Sequence, residues 1–188
     1  MISLKQTNSA ALTVQRELYN IGLWYENTRL IKSNIFWKGM PFFGASHASG
    51  LFTIGVTVMD KFRGFEEGHI YIPKWVLAQG FWQNRGSLRD VIRHEYGHAL
   101  AHYYPELIEH SKSFEKVFGG NYYSYVPTQM DKAAFISEYA STMPMEDFAE
   151  TFMVFVRRKG IIPTNIINKK LLAKWKFVAD LCIKISLK

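Results

Sequence analysis

The chain has 188 residues, 48% hydrophobic and 21% charged, which excludes a disordered polypeptide and favours one globular domain spanning residues 1–188. Its longest apolar run, Phe152 to Val156, is five residues, far short of the about 20 needed to cross a bilayer. The single cysteine, Cys182, excludes an internal disulfide and a thiolate-rich zinc site, and the net charge of +7 leaves open an acidic partner.

That charge is uneven. Residues 161–188 carry six lysines against one acid, Asp180. No nucleic-acid motif accompanies them, so a solvated helix face is expected and no nucleic-acid partner. The opening MISLKQTNSA has no long apolar stretch, so no secretory signal is expected. With one cysteine, this fits a cytoplasmic protein or one exported by a signal-less route.

Asn8 to Ile21 reads as a helix and Leu30 to Trp37 as a strand. Gly44 to Gly50 (GASHASG) has loop composition. Leu51 to Met59 and Gly68 to Pro73 are β-rich and flank the charged stretch Asp60 to Glu67, a pattern that predicts a loose hairpin. Ser87 and Asp90 resemble a capping box, opening a helix that runs to Tyr104 and stops at Pro105. Gly97, inside that helix, costs roughly 1 kcal/mol relative to alanine, and leaves room for close approach by neighbouring backbone or substrate. After Gly119-Gly120-Asn121 and a tyrosine cluster (Tyr122, Tyr123, Tyr125), a helix is predicted over Lys132 to Ala140. Pro144 suits the first turn of another, ending on basic residues before Gly160. A last helix is expected from Ile166 to about Ile183.

The helix opened by Ser87 carries HEYGH, His94 to His98. A spacing of four places both imidazoles on one face, where two nitrogens can share one zinc at about 2.0–2.1 Å. Glu95 then flanks the metal and is suited to move a proton between water and a leaving amine. A catalytic zinc needs a third protein ligand. His102 lies a further turn along and is expected to pack. Ala101 and Tyr104 stand where a metzincin needs glycine and histidine. His47, His69 and His110 lack partner spacing. The remaining candidates are Glu146, Asp147 and Glu150, whose order the pattern leaves open; a first turn rich in acids also suits the helix dipole.

HEYGHALAHYY together with FISEYASTMPMEDFAETF resembles the bacterial family of putative zinc-binding metallopeptidases, and the catalytic domains of anthrax lethal factor and the Pro-Pro endopeptidases. The resemblance covers roughly Ser87 to Phe155. It implies zinc as cofactor, Glu146 as third ligand beside His94 and His98, Glu150 supporting a ligand histidine, and Tyr139 donating to the developing oxyanion. The family pattern is richer in tryptophan and histidine where this chain has Met143, Met145, Phe148 and Phe152. In such peptidases an edge strand beside the site commonly receives the substrate, which assigns Ile70, Tyr71 and Ile72 to substrate binding.

The expectation is an α+β, mostly helical zincin-like domain with a small sheet packed on the active helix, acting as an endopeptidase on a protein or peptide. The alternatives are a signal-less effector protease for one target and a non-catalytic zinc-binding module.

Overall fold

The structure, a computed structural model, describes residues 4–23, 34–38, 51–52, 69–73, 86–125 and 131–187. The expected loop at residues 44–50, the charged stretch at residues 60–67, residues 30–33 and 53–59 of the two upstream β segments, and His47 lie outside these residues.

The first helix, α1 (Leu4–Asn20), buries Thr7, Ala11, Val14 and Leu18. Their spacing of four, three and four makes one stripe, as an amphipathic helix requires. Three short strands follow, β1 (Asn34–Lys38), β2 (Leu51–Phe52) and β3 (His69–Pro73). They form a sheet of order β1-β3-β2, in which β1 runs parallel and β2 antiparallel to β3. The antiparallel pairing of β2 with β3 is the direction the expected hairpin requires. The sheet meets the next helix, α2 (Leu88–Tyr103), through β2 and β3.

The start of α2 is fixed by the predicted capping box. Ser87 Oγ accepts from the Asp90 backbone N–H and Asp90 Oδ2 accepts from the Ser87 backbone N–H. Arg93, 4% exposed, ties α2 to α1 by two 2.8 Å bonds to the Glu17 carboxylate and also binds Asp90. A short helix outside the elements expected from the sequence, α3 (Lys112–Phe118), is capped by Ser111 and ends on Gly119 at φ 83. Its Phe114 and Phe118 stack on each other and meet Phe148 and Phe177 edge-on.

The helix predicted over Lys132 to Ala140 is not present. The segment instead makes two 3-10 turns, Lys132–Ala134 and Tyr139–Ser141, separated by extended Phe135. Two side-chain contacts hold it in that shape. Lys174 Nζ donates to the Ala134 carbonyl at 2.7 Å, and Ser137 Oγ accepts from the Ala140 N–H. A local serine hydroxyl such as Ser137 offers the backbone an alternative to helical bonding.

Pro144 begins α4 (Pro144–Arg157) as expected, and Asn168 caps α5 (Lys169–Ser186) by accepting from the N–H groups of Lys170 and Leu171. One apolar cluster joins the five helices of the described residues, α1 to α5, and reaches Ile70 of β3. Among the described residues the most extensive helix–helix contact is between α2 and α4. Gly97 lies at their crossing, where a Cβ would sit 3.0 Å from Ala149 Cα.

Candidate metal centre

The crossing of α2 and α4 brings histidines from one helix to acids from the other. His94, His98 and Glu146 each present one donor atom, and the three lie within 4.8 Å of one another. His94 Nε2 and His98 Nε2 are 3.1 Å apart. Glu146 Oε2 is 3.1 Å from His94 Nε2 and 3.6 Å from His98 Nε2. Four-coordinate zinc with bonds of about 2.0–2.1 Å requires donors roughly 3.3 Å apart. The observed triangle has that size, and imidazole nitrogens with a carboxylate oxygen are a donor set that zinc accepts. Glu146 Oε2 is also buried without a hydrogen bond of proper geometry, despite its two short approaches, an orphaned atom that a cation would satisfy. These residues therefore fit zinc.

Electrostatics favour a cation at the same point. Burial works against a charged His94, yet the Glu146 and Glu150 carboxylates, with Glu95 nearby, raise its pKa to about 10 without a metal. Glu146 moves oppositely: burial alone would raise it, but His94 and His98 hold it far below the carboxylate range. Glu150 Oε1 lies 2.9 Å from His94 Nδ1, and its Oε2 accepts from Ser137 Oγ at 2.7 Å. Those partners outweigh burial and keep Glu150 ionised, so Nδ1 carries the proton and Nε2 faces the other donors.

His98 is held differently. Its Nδ1 meets the hydroxyl of Tyr122 at 2.9 Å, and Tyr122 is 1% exposed. Neither Ser137 nor Tyr122 stood out in the sequence as part of the site. Ser137 lies two residues before Tyr139, but nothing local marks its reach to Glu150.

Glu95 is buried beside the histidines, at 6% exposure. The Tyr139 ring lies 5.8 Å from the His94 ring and is 39% exposed, so it borders the donors on the solvent side. His102 pairs with the Tyr103 ring, and His110 is exposed. Asp147, next to Glu146, points away to Lys174 at 2.6 Å. Burial raises the Asp147 pKa to about 7 against the opposing pull of Lys174. The Lys174 ammonium also sits 4.0 Å over the Phe135 ring.

Ile70, Tyr71 and Ile72, expected to bind substrate, all lie on β3. β3 is the middle strand: Ile70 and Tyr71 pair with Ile35 and Phe36 on one side, and with Phe52 and Leu51 on the other, while Ile72 pairs with Trp37. At Ile70 and Tyr71 both sides of the strand are paired, which leaves no edge there for an added strand, whereas among the described residues Ile72 is paired on the Trp37 side alone. Ile70 and Tyr71 are instead buried.

Fold and site together define a mostly helical protein with a two-histidine, one-carboxylate group able to hold a metal ion. A family model described as "Putative zinc-binding metallo-peptidase" matches residues 47–169, and the chain belongs to that family. The matched region contains both histidines and the acidic helix α4, and stops at the first residue of α5. No curated protein and no solved structure matches the chain. No helix among the described residues is long and apolar enough to cross a membrane.

Proposed function

We propose that the chain is a zinc-dependent endopeptidase acting on a protein or peptide, with His94, His98 and Glu146 as the zinc ligands. The observation that carries this reading is the triangle of their donor atoms, with edges of 3.1, 3.1 and 3.6 Å. Membership of a zinc-binding metallopeptidase family supports it, as does the likeness of the Tyr139, Glu146 and Glu150 spacing to lethal-factor-like enzymes. The reading takes the whole chain as one catalytic domain of zincin-like architecture.

Zinc held there supplies a Lewis acid that polarises a carbonyl and lowers the pKa of water from 15.7 toward about 7. Glu95 takes the proton from the attacking water and returns it to the leaving amine. Tyr139, on the exposed side of His94, donates its O–H to the oxyanion that develops on the scissile carbonyl. Glu150 orients His94 by accepting from Nδ1.

The test is Glu95→Gln, assayed on an unfolded protein and a peptide mixture with cleavage read by mass spectrometry. The variant is expected to keep its zinc and lose cleavage by a factor of about 10² or more. Cleavage at the wild-type rate would overturn the mechanism.

A further inference from the structure

Two imidazoles face the same point, but their outer nitrogens have different partners. His94 Nδ1 meets a carboxylate and His98 Nδ1 meets a phenol, each at 2.9 Å. We propose that Tyr122 is a positioning residue for zinc binding, which fixes the ring orientation and tautomer of His98 through its buried hydroxyl. The inference rests on the reading that His98 is a zinc ligand.

An imidazole that offers its Nε2 lone pair to a metal must carry its proton on Nδ1, and a buried N–H needs an acceptor. The Tyr122 oxygen stands at that atom. It is also well fixed. The Tyr122 ring packs at 5.6 Å from Phe114, edge-on to Phe148 at 6.5 Å, and perpendicular to Tyr123 at 5.0 Å. Phe114 belongs to α3 and Phe148 to α4, so the hydroxyl is referenced to the same helix that carries Glu146. Aiming His98 from Tyr122 therefore keeps its Nε2 in register with the Glu146 carboxylate. Tyr122 lies on the turn after α3, 24 residues beyond His98, so no spacing rule within the HEYGH helix would reveal it.

The test uses the zinc dissociation constant, by chelator competition, for wild type, Tyr122→Phe and Tyr123→Phe. Phenylalanine at 122 keeps the ring contacts and removes only the oxygen. Tyr122→Phe is expected to bind zinc about 10- to 100-fold more weakly, and Tyr123→Phe, whose hydroxyl meets Glu109 on the surface, within about twofold of wild type. Equal affinity of wild type and Tyr122→Phe would overturn the inference while leaving the zinc site intact. Absence of zinc binding in wild type would overturn both. Nitrogen NMR of the zinc-loaded wild type tests the same point without a variant. A His98 Nδ1–H protected from exchange is expected, and a His98 without that proton would refute the inference.

Discussion

Replacing Gly97 with alanine puts a methyl group where α2 and α4 cross. The added carbon would lie 3.0 Å from Ala149 Cα, 3.3 Å from Ala149 Cβ and 3.4 Å from Phe152 Cδ1. Carbon atoms prefer about 3.5–4.0 Å, so Ala149 on α4 must give way by a few tenths of an ångström. Such overpacking costs about 1–3 kcal/mol, and the better helix propensity of alanine returns about 1 kcal/mol. Metal-free stability should therefore fall by up to about 2 kcal/mol. The larger effect falls on the metal. Both histidines ride on α2 and Glu146 on α4, so separation lengthens the 3.1 and 3.6 Å edges and spares the edge between the histidines. Metal sites tolerate distance errors of about 0.2 Å, and the zinc dissociation constant is expected to rise at least about tenfold. Chelator competition and urea unfolding of the metal-free protein measure both quantities. Unchanged zinc affinity, with a stability gain of about 1 kcal/mol, would show that propensity alone acts at this position and would refute the close-approach argument.

Three further outcomes follow from named contacts. Glu150→Gln should weaken zinc binding about 10- to 100-fold without unfolding the protein, as measured by chelator competition and circular dichroism. Lys174→Ala removes the cation 2.6 Å from the buried Asp147, which then takes up a proton, and should cost about 3 kcal/mol in urea unfolding, the low end for a broken buried pair, whereas Lys174→Met with Asp147→Leu should cost clearly less. Asp90→Asn should cost about 3 kcal/mol near neutral pH, the low end for a broken buried pair because Arg93 keeps Glu17. Burial opposes ionisation of Asp90, but Ser87, Arg93 and Arg157 outweigh it and lower its pKa below 3.8. A depressed carboxylate stabilises above its unfolded pKa and loses that contribution as pH falls through the folded one. The gap between wild type and Asp90→Asn should therefore be full at neutral pH and close as pH drops below 3.8.

Features carried by neighbouring residues were legible in the sequence. The capping box of Ser87 and Asp90, the shared face of His94 and His98, and Pro144 at a helix start all depend on spacing within one turn. Choosing among Glu146, Asp147 and Glu150 does not, because the answer depends on where α4 crosses α2. The crossing at Gly97 and Ala149 turns Glu146 and Glu150 toward the histidines and Asp147 toward Lys174. The segment at residues 132–140 has helical composition, yet contacts from Lys174 and within the segment hold it in 3-10 turns. By contrast, α3 carries a local signal at each end, Ser111 as cap and Gly119 as terminator. The central place of β3 follows from pairing with strands distant in sequence, which no local pattern encodes.

The most direct test of the central claim is metal content, by elemental analysis, of wild type and Glu146→Ala purified without added metal. The account predicts about one zinc per chain in wild type and a sharp loss in Glu146→Ala. Zinc retained at the wild-type level in Glu146→Ala, or none in wild type even after zinc is supplied, would contradict it.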